Sequence, residues 1–297
     1  SGKWVKVKVH ESGMQEISYE RLRELGFRDP SKVAVYGYDG FGLRDYAFST
    51  AFPDDLPAVP VGRYADKLVF YADASEVLVP YRLNVASSLP RYESKLYRDF
   101  NNDYSVYYLT DSRDALEIGV TDAPANESEP LLENAQGTFI KDFKEYQPAN
   151  IGAYLFCRDN FVEKPVQTFD LYLPDYEPDG DGPSIETAVG INAGTARLLW
   201  SFPGEDPGVQ TAPGNGGDPK YKSYLYGTQL YRWNKLAKRA DDIYPMTADA
   251  SQMTNPVAGY VDYITVVYPR GTNVSGQAQS SLLFPILKTG QRVVLSG

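Results

Sequence analysis

The chain contains one histidine, His10, and one cysteine, Cys157, among its 297 residues. A Ser-His-Asp or Cys-His catalyst would have to use these residues as its base and nucleophile. His10 lies on the same face of a strand-like segment as Lys6 and Lys8, with no nucleophile motif nearby. Cys157 alternates with Phe156 in an apolar run, which is typical of a buried packing cysteine. We therefore predict that His10 is a surface strand residue, that Cys157 belongs to a core, and that the chain has no catalytic residue.

This scarcity of histidine and cysteine also excludes several kinds of site. The chain cannot form an internal disulfide, a structural zinc site of the usual Cys/His kind, or a haem site with two histidine ligands. We expect that it requires no cofactor. Calcium is the one candidate ion.

The calcium hypothesis rests on carboxylates at alternating positions of one loop. They occupy positions 1, 3, 5, 7 and 12, with glycine at position 6, as in an EF-hand loop. The predicted metal ligands are Asp175, Glu177, Asp179, Asp181 and Glu186. Position 3 is Glu rather than Asp or Asn, and strands rather than helices flank the loop. A solvated turn between two strands is therefore the alternative interpretation.

Residues 220–239 combine six basic residues and no acid with interleaved aromatic rings. Aromatic and basic side chains together can contact a protein, a glycan or a nucleic acid. The predicted partner-binding residues are Tyr224, Tyr226, Tyr231 and Trp233. The net charge of −10 argues against nucleic acid. The alternative is a tyrosine-rich strand whose lysines face solvent.

Alternating apolar and polar residues run along most of the chain, which contains 25 glycines, 21 prolines and 24 tyrosines. This period of two predicts half-buried strands, where a tyrosine ring can pack while its hydroxyl stays wet. The clearest helix covers residues 18–25, because Ser18 is a good N-cap and Gly26 stands where a helix would stop. Strands are predicted at 5–9, 33–36, 67–71, 77–83, 104–109, 153–158, 167–173, 186–192, 196–202, 223–233 and 260–268.

These elements predict an all-β, mainly antiparallel fold with one or two short helices. A polar, aperiodic stretch at 121–137 predicts a linker. It divides the chain into an N-terminal β domain, residues 1–125, and a β-sandwich or jelly-roll-like domain, residues 126–297. No segment reaches the roughly 18 uninterrupted apolar residues of a membrane-spanning helix, so we expect no transmembrane segment. The abrupt start in a strand is typical of a chain whose signal peptide has been removed.

Short ordered strings add a family resemblance to these patterns. A valine strand at 4–9 leads through a glycine turn and a helix to Leu25-Gly-Phe, and then to Pro30-Ser-Lys-Val. Further strings follow at 54–61, 66–72, 102–111 and 260–268. In this order they resemble the N-terminal region of gingipain-like (C25) cysteine peptidase precursors of Bacteroidetes. The layout is most similar to that of the type IX secretion system sortases in this family.

The resemblance implies a region without catalysis. In that family the catalytic His and Cys belong to a downstream domain, and His10 and Cys157 match neither motif. The chain would be part of a secreted or outer-membrane-associated cell-surface protein, acting as a scaffold, a prodomain or a cargo-docking module. Its partners would be the downstream peptidase domain or secretion-system proteins. The alternative is a secreted glycan-binding or adhesion module of β-sandwich type.

Overall fold

The structure, a computed structural model, consists mainly of antiparallel β-strands. It describes residues 2–38, 55–83, 91–98, 102–118, 134–148, 155–178, 182–212, 225–233 and 236–273. The chain divides into two compact units, Ser1–Pro80 with Lys95–Ala123 and Tyr81–Ser94 with Pro124–Gly297. The predicted boundary between residues 125 and 126 lies outside the described residues.

The described residues form strands, one α-helix and one 3-10 turn. The elements up to residue 117 are β1 (Trp4–Val9), β2 (Gly13–Ser18), α1 (Tyr19–Glu24), the 3-10 turn (Pro30–Lys32), β3 (Ala34–Gly37), β4 (Ala58–Tyr64), β5 (Lys67–Ala72), β6 (Glu76–Leu83), β7 (Arg91–Arg98), β8 (Ser105–Thr110) and β9 (Leu116–Glu117). The later elements are β10 (Asn134–Asp142), β11 (Val166–Tyr172), β12 (Ser184–Asn192), β13 (Ala196–Ser201), β14 (Gly208–Ala212), β15 (Leu225–Arg232), β16 (Ile243–Asp249) and β17 (Ala258–Gly271). The predicted all-β, mainly antiparallel fold class is confirmed.

The first unit is built on one sheet with the strand order β1-β8-β3-β4-β5-β2, and β9 adds in parallel beside β4. The β1–β8 register runs from Trp4 opposite Thr110 to Val9 opposite Ser105. Alternate side chains of these strands enter one apolar core, as the period of two predicts. The fully buried members of this core include Leu22, Phe27, Val33, Val61, Leu68, Phe70 and Leu109.

Helix α1 has the predicted caps at both ends. The Arg21 N–H donates to Ser18 Oγ at 3.1 Å, which satisfies one of the free N–H groups at the helix start. Gly26 follows the helix with φ of +88°, and the Phe27 N–H donates to the Leu22 carbonyl at 3.0 Å. These bonds form a Schellman motif, whose apolar contact places Leu22 and Phe27 in the core.

The second unit packs two four-stranded sheets on one core. Their strand orders are β10-β17-β12-β15 and β11-β16-β13-β14. Among the described strands, β10 pairs with β17, β11 with β16, β12 with β15 and β13 with β14, so the pairs are nested. Both sheets contribute to the core, which includes Ile185, Val189, Ile264 and Val266 from the first, and Leu171, Leu198, Trp200 and Met246 from the second.

Two local predictions differ from the structure. The predicted linker extends to Gly137, which instead belongs to β10. In the described part of the predicted strand 153–158, Phe156 forms only an isolated bridge with Tyr146. Phe156 packs on the face of a sheet instead of forming one of its strands. Its ring occupies the space beside Gly190 of β12. In the part of the chain that the structure describes, no helix is long and apolar enough to cross a membrane.

The β10–β17 pair depends on a close approach between a glycine and an aromatic ring. Gly137 lies directly opposite Tyr268, and a Cβ at Gly137 would lie 2.2 Å from Tyr268 Cζ. Tyr268 is 1% exposed. Its ring therefore has no solvent-side space into which it could move away from a methyl group.

We predict that Gly137→Ala lowers the free energy of unfolding by about 1–3 kcal/mol, because the new Cβ overpacks this contact. The measurement is urea denaturation followed by circular dichroism, with the midpoint compared at equal slope. Gly271→Ala is the matched control in the same strand pair, since its Cβ would meet nothing closer than Glu177 Cγ at 3.6 Å. Equal midpoints for the two variants would contradict the packing argument.

Candidate functional site

Cys157 lies in the core of the second unit, as predicted for a packing cysteine. Its side chain is buried, and its thiol donates to the Asp159 carbonyl at 3.3 Å. The Val261 N–H donates to Cys157 Sγ, also at 3.3 Å. Burial raises the pKa of the thiol to about 11. A nucleophilic cysteine needs the opposite shift, because only the thiolate reacts.

An open cavity of about 460 Å³ lies beside this thiol. Its wall includes Phe143, Glu145, Arg158, Asp159, Gln167 and Phe169. The buried Gln167 amide is bonded to the backbone, donating to the carbonyls of Asp159 and Lys164 at 3.2 Å each. The polar groups around Cys157 therefore stabilise a loop.

His10 is an exposed residue next to the end of β1, as predicted for a surface strand residue. Its ring centroid lies 5.6 Å from that of Tyr104. His10 belongs to the first unit and Cys157 to the second.

The predicted calcium ligands are only partly described. Asp179 and Asp181 lie outside the described residues. The other three acids have partners within the protein. Arg270 donates to Asp175 at 3.1 Å, Lys238 forms an ion pair with Glu177, and the Tyr263 hydroxyl donates to Glu186. The described residues contain no group of three or more His, Cys, Asp or Glu side chains that could hold a metal ion. Calcium binding stays a prediction.

Two of the four predicted aromatic partner-binding residues are buried. Tyr231 and Trp233 are buried in the core of the second unit, and the Trp233 indole donates to the Asp206 carbonyl at 3.3 Å. Tyr226 is half-buried, and Tyr224 lies outside the described residues. A role in partner binding stays a prediction. The two buried rings have a packing role.

The sequence reasoning missed a buried carboxyl group in β17. Asp262 is fully buried and accepts a hydrogen bond from the Tyr226 hydroxyl at 2.7 Å. It lies at a register shift, because Ala188 pairs with Tyr263 while Val189 pairs with Val261. The signal in the sequence was an acid inside an otherwise apolar strand, where a bulge re-aims a side chain.

We predict that Cys157 in the native protein is alkylated by iodoacetamide about a hundredfold more slowly than in the unfolded chain at about pH 7.5, because a thiol pKa raised by burial leaves little thiolate. The reaction should accelerate as the pH approaches the raised pKa. Mass spectrometry of labelled protein, with and without denaturant, measures both rates. Equal rates in the two states would show that the thiol is accessible and activated.

A thermal melt with and without millimolar calcium tests the loop. A bound ion would stabilise the protein by mass action, by about 2.7 kcal/mol at a hundredfold excess over the dissociation constant. We expect no shift, because Asp175 and Glu177 are already paired with cationic side chains. Magnesium is the control ion. A shift specific to calcium, lost in Asp179→Asn/Asp181→Asn, would instead establish the metal site.

No protein-family model and no curated protein matches the chain. Among solved structures, it is similar to dimeric latent PorU from Porphyromonas gingivalis, with a TM-score of 0.70 and 23% identity. The match covers 93% of this chain and 25% of PorU. A second structure, BuGH86wt in complex with neoagarooctaose, covers 66% of this chain and 28% of that chain at 9% identity, but its TM-score of 0.22 is too low to indicate a shared fold. The chain therefore has a PorU-like fold over nearly its whole length.

Proposed function

We propose that this chain is the non-catalytic N-terminal region of a secreted or cell-surface C25-type cysteine peptidase or sortase of the type IX secretion system. It acts as a scaffold, prodomain or docking module by protein–protein contact. The downstream peptidase domain or secretion-system proteins are its partners. It requires no cofactor for this role.

The observation that carries the proposal is the PorU-like fold. It extends over 93% of this chain but accounts for only 25% of PorU. A region of this size corresponds to a fraction of that larger protein. The ordered sequence strings support the same assignment independently of the fold.

The chemistry of the two scarce residues supports a role without catalysis. Cys157 is a buried thiol with a raised pKa, and its close polar contacts are with backbone groups. His10 is an exposed residue beside an aromatic ring. Neither environment supplies the oriented base and activated nucleophile that covalent catalysis uses.

The glycan-binding alternative was based on tyrosine and tryptophan side chains expected to be exposed at residues 220–239 and on the acidic loop at residues 175–186. The described part of residues 220–239 buries Tyr231 and Trp233. Rings that fill a core cannot stack on a sugar. The same burial removes these two rings from a protein-docking surface, so the preference for protein contact rests on the PorU-like fold.

We predict that the purified chain does not cleave fluorogenic peptides in the presence of a thiol reductant, because its thiol is protonated and buried. Cys157→Ala should behave identically. An active C25 peptidase assayed in parallel is the positive control. Thiol-dependent cleavage that disappears in Cys157→Ala would overturn the proposal.

A binding measurement is the second test of the proposed function. The parent gene should encode a C25 catalytic domain, which can be purified separately and mixed with this chain. A lasting complex would bury about 1,200–2,000 Å². The complex is measured by size-exclusion chromatography with light scattering. A parent gene without the C25 His and Cys motifs would contradict the assignment.

A further inference from the structure

One surface of the first unit combines cations with aromatic rings. It is the outer face of β1, β8 and β3, and we call it the cation–aromatic face. Its exposed or half-buried members are Trp4, Lys6, Lys8, His10, Tyr104, Tyr108 and Arg113, and the buried ring of Tyr36 lies beneath them. The strand register brings them together, since Lys6 lies opposite Tyr108 and Tyr108 lies opposite Tyr36.

The rings hold the cations in place. Lys8 Nζ lies 4.0 Å from the centre of the Tyr104 ring. Arg113 Cζ lies 5.3 Å from the Trp4 ring and 5.4 Å from the Tyr36 ring. These distances are those of cation–π contacts, which orient a charge without neutralising it. Trp4 remains 39% exposed, so the face offers apolar area beside its charge.

The charge on this face is mostly uncompensated. Within the described part of the chain, Lys6 and Lys8 form no ion pair with a carboxylate, whereas Arg113 is paired with Asp55 at 2.7 Å. The whole chain carries a net charge of −10. A local cationic face on an acidic protein is complementary to an anionic partner.

The backbone of β1, which borders this face, indicates which class of partner can bind. β1 is the end strand of its sheet, and its described pairing is with β8 alone. One row of its N–H and C=O groups therefore faces away from the sheet. A polypeptide can complete such a ladder by adding as a strand, whereas a glycan or a nucleic acid has no matching backbone.

The spacing of the cations fits the same geometry. Lys6 and Lys8 are two residues apart, so both project from one face of β1. An added strand with acidic side chains at every second position would place its carboxylates alongside them. Lysines on a sheet edge also prevent two edges from pairing. An acidic strand is the partner that removes this repulsion.

We propose that the β1 edge and the cation–aromatic face bind an extended acidic segment of a partner protein by strand addition. This inference rests on the proposed docking function and names the chemistry of what is docked. The contact combines backbone hydrogen bonds along β1 with carboxylates at Lys6 and Lys8. Trp4 covers the apolar side chains of the added strand.

Fluorescence anisotropy with the full chain and a short labelled peptide of alternating valine and glutamate tests the proposal. We expect saturable binding that weakens as salt is added. The Lys6→Glu/Lys8→Glu variant should bind at least about tenfold more weakly. The control is Lys67→Glu/Lys164→Glu, which changes the net charge equally; Lys67 lies on β5, four strands along the sheet from β1, and Lys164 lies in the second unit. Thermal melts confirm that both variants are folded.

Two further measurements distinguish strand addition from simple charge attraction. Hydrogen exchange should show that the peptide protects the amides of β1, and N-methylation of the peptide on its hydrogen-bonding edge should abolish binding. Binding that survives N-methylation, or that is equal in Lys6→Glu/Lys8→Glu and the control, would overturn the proposal. Binding of alginate or single-stranded DNA without binding of the peptide would reassign the face to another polyanion. If the peptide fails while the chain still binds the separate catalytic domain, this inference fails and the docking function stands.

Discussion

In each of the two units, a tyrosine ring packs against a glycine of the neighbouring strand, and the pairing of those two strands depends on this close approach. Tyr268 lies across Gly137 in the second unit, and Tyr107 lies across Gly37 in the first. Each glycine leaves the space that a ring needs, so the ring can lie flat against the backbone of the next strand. The ring tips then reach polar groups beyond the strand pair. The Tyr107 oxygen accepts from the Asp73 N–H at 2.9 Å, and the Tyr268 hydroxyl donates to the Pro174 carbonyl at 3.2 Å.

Hydrogen bonds to the buried amide of Gln210 connect the two sheets of the second unit. Gln210 of β14 accepts hydrogen bonds from the Thr187 hydroxyl at 3.0 Å and the Trp200 indole at 2.9 Å. Its own amide group donates to the Gly227 carbonyl at 3.0 Å. Thr187 and Gly227 belong to one sheet, and Gln210 and Trp200 to the other. Because each partner satisfies a buried polar group, the network fixes how the sheets face each other.

The sequence predicts the strands in which apolar and polar side chains alternate regularly. It does not predict strands that lack this alternation. β12 and β17 present apolar residues at most inward positions, so the period of two was sufficient. β16 contains Pro245, which argues against a strand. The structure accommodates it because β16 pairs with β13 only at residues 247–249, which leaves Pro245 paired with one strand.

The burial of Cys157 was predictable from its apolar neighbours. The cation–aromatic face was not, because it depends on a register that joins residues about a hundred positions apart.

In the proposed strand addition, that register lets an acidic protein select an acidic partner. A net charge of −10 repels an acidic segment from most of the surface. Screening limits the influence of individual charges to about 8–10 Å at physiological salt, so Lys6 and Lys8 act only near β1. An approaching acidic strand is therefore excluded from most orientations and accepted along one sheet edge. Since the rings of Trp4 and Tyr104 hold neighbouring cations in place, little side-chain entropy remains to be lost on binding. Such a surface can orient a bound segment, but it supplies no reactive group.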